Sequence, residues 1–131
     1  MQRIGFIVLP GFQMLSVAAL SVFELANWEN GEPVYDVHLL SETGGSIRSS
    51  VGIGIATEPF DDKDFDTLII GGSAVVGALT PGVIKFLRQG LERSRRVAST
   101  CTGAFVLAEA GLLDGRRATT HWHREIGRAH V

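Results

Sequence analysis

Apolar residues fall in short blocks divided by glycine, proline and polar turns, and their spacing changes from block to block. Ile4-Gly5-Phe6-Ile7-Val8-Leu9 is unbroken and does not alternate, which predicts a strand covered on both faces, as in a parallel sheet. Pro10-Gly11 ends it. Met14, Leu15, Val17, Ala18, Leu20, Val22, Leu25 and Trp28 then recur near helical spacing. They predict one helix to about Glu29, stopped at Asn30-Gly31. Val34–Leu40 predicts a second strand, Ser46–Arg48 and Ile53–Ala56 a short ribbon at the sheet edge, and Phe65–Ile70 a buried strand ended by Gly71-Gly72. Thr80 and Pro81 read as the N-cap and first turn of a helix with an apolar stripe of Val83, Ile84, Leu87 and Leu91. Arg96–Thr100 predicts a strand, Thr102–Gly111 a small-residue helix, and Arg116–Thr120 a last strand. This alternation argues an α/β fold with a mostly parallel sheet and helices on both faces.

Composition narrows the class. The 131 residues suit one domain, 45% hydrophobic and 20% charged, with a net charge of −2 that gives no overall basic character for nucleic acid. The apolar run after Arg3 is broken too early for a signal segment, and no run reaches the length of a membrane span, so a cytoplasmic, non-membrane protein is expected. A lone cysteine allows no intrachain disulfide and no multi-cysteine metal site. The acidic run Glu58, Asp61, Asp62, Asp64 and Asp66 lacks the spacing of a calcium loop and reads as a solvated loop. Neither a metal nor a cofactor is expected.

The chemistry concentrates at Ser99-Thr100-Cys101-Thr102-Gly103-Ala104. A side chain between a strand and a helix projects from the carboxyl end of the sheet, where ligands bind in open α/β folds. Small neighbours permit the tight bend of a nucleophile elbow, although Ser99 stands where that pattern has its first glycine. A helix N-terminus favours a thiolate, so Cys101 reads either as a nucleophile or redox-sensitive thiol, or as an inert packed cysteine. The N–H groups of Gly71-Gly72 either hold an oxyanion or carboxylate in the same cleft or simply make a tight turn.

The segment Cys101-Thr102-Gly103-Ala104-Phe105-Val106-Leu107-Ala108-Glu109-Ala110-Gly111-Leu112-Leu113-Asp114-Gly115-Arg116-Arg117-Ala118-Thr119-Thr120-His121-Trp122 resembles the ThiJ/PfpI family, of class I glutamine amidotransferase-like fold. More narrowly, it resembles the N-terminal domain of GlxA/FtrA-type AraC-family regulators. Leu9-Pro10-Gly11-Phe12 and Val22-Phe23-Glu24-Leu25-Ala26-Asn27 extend the resemblance to the start of the chain. It implies a flavodoxin-like three-layer sandwich, incomplete at its C-terminus, over residues 1–125. It also implies a bacterial sensor that binds a small-molecule metabolite at Gly71, Gly72, Cys101, Thr102 and His121, acts as a homodimer, and contacts DNA through a helix-turn-helix domain beyond this chain. Residues 126–131 match a translated sequencing adapter and are expected to be non-native. Enzymes of the family pair the elbow cysteine with an acid that aligns with Ser16, and peptidase- and deglycase-like members carry a histidine where Thr102 stands. The elbow is therefore read as kept for binding. The alternative is a cysteine-dependent enzyme of the isonitrile hydratase or glyoxalase type.

Overall fold

The computed structural model describes residues 1–61, 63–72, 80–101 and 103–115. Six strands form one sheet in the order β3-β4-β2-β1-β5-β6. The strands are β1 (Gln2–Ile7), β2 (Tyr35–Ser41), β3 (Gly45–Arg48), β4 (Gly54–Pro59), β5 (Thr67–Ile70) and β6 (Arg96–Ser99). β1 lies parallel between β2 and β5, and β6 extends the parallel set. Only β3 runs antiparallel, against β4, which itself pairs with β2 through Leu40 and Glu58. The expected ribbon is thus built into the sheet edge. The predicted strand at Arg116–Thr120 lies outside the described residues.

The unbroken apolar runs are buried from both sides. Ile4, Phe6, Val8 and Ile69 pack under α1 (Met14–Ala18) and α2 (Ser21–Asn30) through Val17, Leu20 and Phe23. Ile7 and Ile70 face the other way, against Val83 and Leu87 of α3 (Pro81–Arg93) and Leu107 of α4 (Gly103–Glu109). These are the three layers of a flavodoxin-like sandwich. Thr80 Oγ1 accepts from Val83 N–H and caps α3, with Pro81 at the first turn. Leu91 is exposed instead of buried; Gly90 takes the inward place because Leu68 leaves no room for a side chain there.

The single helix expected over residues 14–29 is two helices. Between them the chain tightens to three-residue hydrogen bonds, Leu20 N to Val17 O at 3.0 Å and Phe23 N to Leu20 O at 3.1 Å. Three residues per turn stack Val17, Leu20 and Phe23 on one face, and all three reach the sheet. Met14, Leu15, Val22, Leu25 and Trp28 are consequently turned outward. Gly31 ends α2 in the left-handed region at φ 75°.

The acidic run is not merely solvated. Arg95 grips the Asp66 carboxylate with two hydrogen bonds of 2.8 and 3.0 Å, and Glu58 serves His38. The His38 ring lies between two carboxylates, Asp36 Oδ2 at 2.9 Å and Glu58 Oε2 at 2.6 Å. The Asp36 hydrogen bond, helped by Glu58, raises its pKa above the ordinary 6.5. A raised folded-state pKa contributes stability below the unfolded value that disappears as pH climbs through the folded one. Stability should therefore decline from about pH 6.5 upward until His38 is neutral. Urea midpoints measured across that range should fall for the native chain and stay level for His38→Gln; parallel curves would remove His38 as the cause.

Candidate functional site

Three loops meet at the carboxyl edge of the sheet, after β1, β5 and β6. This convergence follows from the strand order, since β5 lies between β1 and β6. Gln13 N–H donates to Gly72 O at 3.1 Å, and Thr100 N–H donates to Ile70 O at 3.0 Å. Cys101 is half-buried at the tip of the last loop, at φ 51°, alone among the described non-glycine residues in having a positive φ. A side chain in that region costs about 1–2 kcal/mol, so the surrounding contacts must hold it. They do so through the Gly103 N–H, which donates to Thr100 O at 2.9 Å, and through the missing side chain of Gly103, whose place lies against the carbonyl oxygens of Ile70 and Gly71. The bend is that of a nucleophile elbow.

The thiol donates to Gln13 Oε1 at 3.7 Å. Ser16, buried on α1, holds the neighbouring loop by both polar groups of one residue: its Oγ accepts from Gly72 N–H at 2.9 Å and lies 3.4 Å from Gly72 O. The side chains of Ser16 and Phe6 close over Gly71, where an added Cβ would sit 2.9 Å from each. Cys101, Gln13, Ser16 and the two glycines therefore form one connected site.

The model of the DJ-1/PfpI family matches residues 2–128. The chain belongs to the DJ-1/PfpI family. Among similar proteins, an uncharacterized protein in the cpoL 5′ region of Streptomyces lividans is 40% identical over 125 residues, covering 92% of this chain and 87% of that one. The HTH-type transcriptional regulator CdhR of Pseudomonas aeruginosa is 36% identical over 126 residues, 92% of this chain and 37% of the regulator. The isonitrile hydratase of Pseudomonas putida is 36% identical over 124 residues, 92% of this chain and 52% of the enzyme. This chain thus spans about a third of the regulator and half of the hydratase. In three dimensions, an AraC family transcriptional regulator from Pseudomonas putida superposes with a TM-score of 0.84 at 22% identity, covering 99% of this chain and 72% of that one, which shows the shared fold.

In this DJ-1/PfpI domain, the residues expected at the site separate cleanly. Gly71, Gly72 and Cys101 are brought together, whereas Thr102 and His121 lie outside the described residues. The sequence leaves the glycine pair two readings, an anion donor or a simple tight turn; the Gly72 N–H is engaged by Ser16. Ser16 serves as a clamp on Gly72. Glu24 sits exposed in the first turn of α2. Gln13 had no place in the sequence reading; the usable signal was a polar side chain in the loop after a central parallel strand, where ligand-binding groups gather.

Because Ser16 satisfies a buried N–H, Ser16→Ala should cost about 1–3 kcal/mol, the penalty for leaving such a group unpaired. Urea unfolding would measure it. A loss too small to detect would mean that water replaces the hydroxyl and that the clamp does not hold the loop.

Proposed function

We propose that this domain is the metabolite-sensing N-terminal part of an AraC-type transcription regulator, with its ligand held at the Cys101 elbow. On this reading it works in the cytoplasm as a homodimer, and DNA is contacted by a separate domain. The carrying observation is a partner of the thiol among the described residues. Where turnover needs a group that takes up a proton, Cys101 meets the amide oxygen of Gln13, which accepts a hydrogen bond but is no general base. Ser16, in the acid's place, cannot supply that base either. Among the described residues, neither Gln13 nor Ser16 offers the thiol a general base, which supports a binding role for the elbow.

Two further points support it. Thr100 Oγ1, adjacent to Cys101, is buried without a hydrogen-bond partner among the described residues, a polar group that a ligand carbonyl or N–H would satisfy. The regulator relatives match over 92% of this chain. Quaternary amines, amino-acid derivatives and small carbonyl compounds are the ligand classes to test.

The isonitrile hydratase relative favours a second reading, in which Cys101 attacks substrate. One experiment separates them. The product of the full-length gene is screened by thermal shift against a quaternary amine, an amino acid, an isonitrile and a small aldehyde. Sensing predicts a stabilising compound that is recovered unchanged, with the shift lost in Cys101→Ala. Turnover of the isonitrile or aldehyde, abolished by Cys101→Ser, would replace sensing by catalysis. A reading frame without a helix-turn-helix domain would end the regulator assignment.

A further inference from the structure

We infer that His38 is a proton-operated latch for the elbow: its charged ring ties the β3–β4 ribbon to the sheet, and the far end of that ribbon seats Gln13 against Cys101. The latch adds a regulatory input to the site proposed above, and it rests on that reading for what it controls.

The contacts of the ring carry the inference. Nε2 lies 2.9 Å from Asp36 Oδ2, and Nδ1 lies 2.6 Å from Glu58 Oε2. An ionised carboxylate only accepts, so both contacts need an N–H, and a neutral imidazole has one. The arrangement is therefore that of the charged ring, and losing the proton must free one carboxylate. Asp36 keeps Arg3 of β1, whose Nε is 4.0 Å away, whereas Glu58 is half-exposed and can turn to water. Lys63, in the loop before β5, also holds Asp36 ionised, and Asp64 of that loop faces Arg93 of α3 at 3.9 Å. Glu58 is thus the group released. The two carboxylates raise the His38 pKa above its ordinary 6.5, so the ring is charged below that raised value and neutral above it.

The ribbon depends on this tie. Two residue pairs join β2 to β4, Leu40 with Glu58 and Ser41 with Pro59, where six join β1 to β2. The Ser41 and Thr57 hydroxyls add a hydrogen bond of 2.5 Å. At its other end the ribbon reaches the elbow. Gly11 N–H donates to Arg48 O and Ser50 N–H to Phe12 O, both at 2.9 Å, so the β3–β4 loop holds the two residues before Gln13. Gln13 in turn donates its N–H to Gly72 O and accepts from the thiol. A ribbon freed at Glu58 loosens Gly11 and Phe12 first, and Gln13 with them. Low pH closes the site and high pH opens it.

Amide hydrogen exchange of the chain, followed by NMR at about pH 5.5 and about pH 8.5 and corrected for intrinsic rates, tests the latch. Protection of the Gly11 and Ser50 N–H groups should fall about three- to fivefold at the higher pH, the size of one partly exposed ion pair. The fall should be smaller for Ser94 N–H, which is bonded to Gly90 O at the end of α3. His38→Gln carries no charge at either pH, and the amide of Glu58→Gln can donate as well as accept, so both variants should lose the pH dependence. The second readout is the reaction of Cys101, the chain's single thiol, with dithiodipyridine. At about pH 5.5, His38→Gln should react about three- to fivefold faster than the native chain, and the two rates should converge at about pH 8.5. Protection that is level with pH, a fall as large at Ser94, or a rate ratio that is the same at both pH values overturns the latch. None of these measurements uses a ligand, so their failure leaves sensing at Cys101 standing, and a failed ligand screen leaves the latch standing.

Discussion

Gly103→Ala is expected to destabilise the domain by on the order of 3 kcal/mol, far more than one methyl group usually does. The added Cβ would run into Ile70 O and approach Gly71 O to 3.2 Å. These are backbone atoms, so no rotamer change relieves the contact. Ile70 O is also the acceptor for Thr100 N–H, so moving it breaks the link between β5 and the elbow. The fold must lose either that hydrogen bond or the bend that presents Cys101. Gly115→Ala provides the control. That glycine has a positive φ, 72°, which Gly103 does not, and nothing lies within 4 Å of its added Cβ, so the change should cost only about 1 kcal/mol. Urea unfolding measures both variants; a Gly103→Ala cost no larger than that of Gly115→Ala would mean that crowding against Ile70 O and Gly71 O does not hold the elbow.

Phe6→Ala should cost about 3–5 kcal/mol, as expected for emptying a fully buried aromatic site. Phe6 is 1% exposed and lies on the central strand beneath α1 and α2. Its ring also packs under Gly71, so the cavity would open beside the glycine pair next to Cys101. This gives the prediction a second, more specific part. Gly71→Ala alone should be destabilising, because its Cβ meets Phe6 Cζ and Ser16 Cβ at 2.9 Å. In a Phe6→Ala background one of those two obstacles is gone, so the double variant should lose less than the sum of the single changes. Strict additivity would show that the ring and the glycine are not in energetic contact.

Much of this was legible locally. The Ile4–Leu9 run lacks alternation, and the corresponding β1 is buried on both faces between β2 and β5. Thr80-Pro81 marks a helix start because the cap and the fixed proline φ act within one turn. Cys101 followed by Gly103 marks the elbow because the bend needs a residue without a side chain. The helix after Met14 was misread as continuous because apolar residues occupy both faces, and periodicity alone does not say which face meets the sheet.

The sequence by itself determined the alternation of strands and helices, the parallel sheet and the position of the elbow. Each depends on dihedral preferences and burial patterns confined to a few neighbouring residues. Only the tertiary structure decided what the elbow faces. Gln13 lies 88 residues before Cys101, and its amide reaches the thiol because the strand order brings the ends of β1, β5 and β6 together. The same holds for Ser16, 56 residues from Gly72, whose hydroxyl the fold turns into a clamp on the Gly72 N–H. A pair contact at such separation is set by sheet order and loop approach, and neither is written in the local spacing of apolar and polar residues.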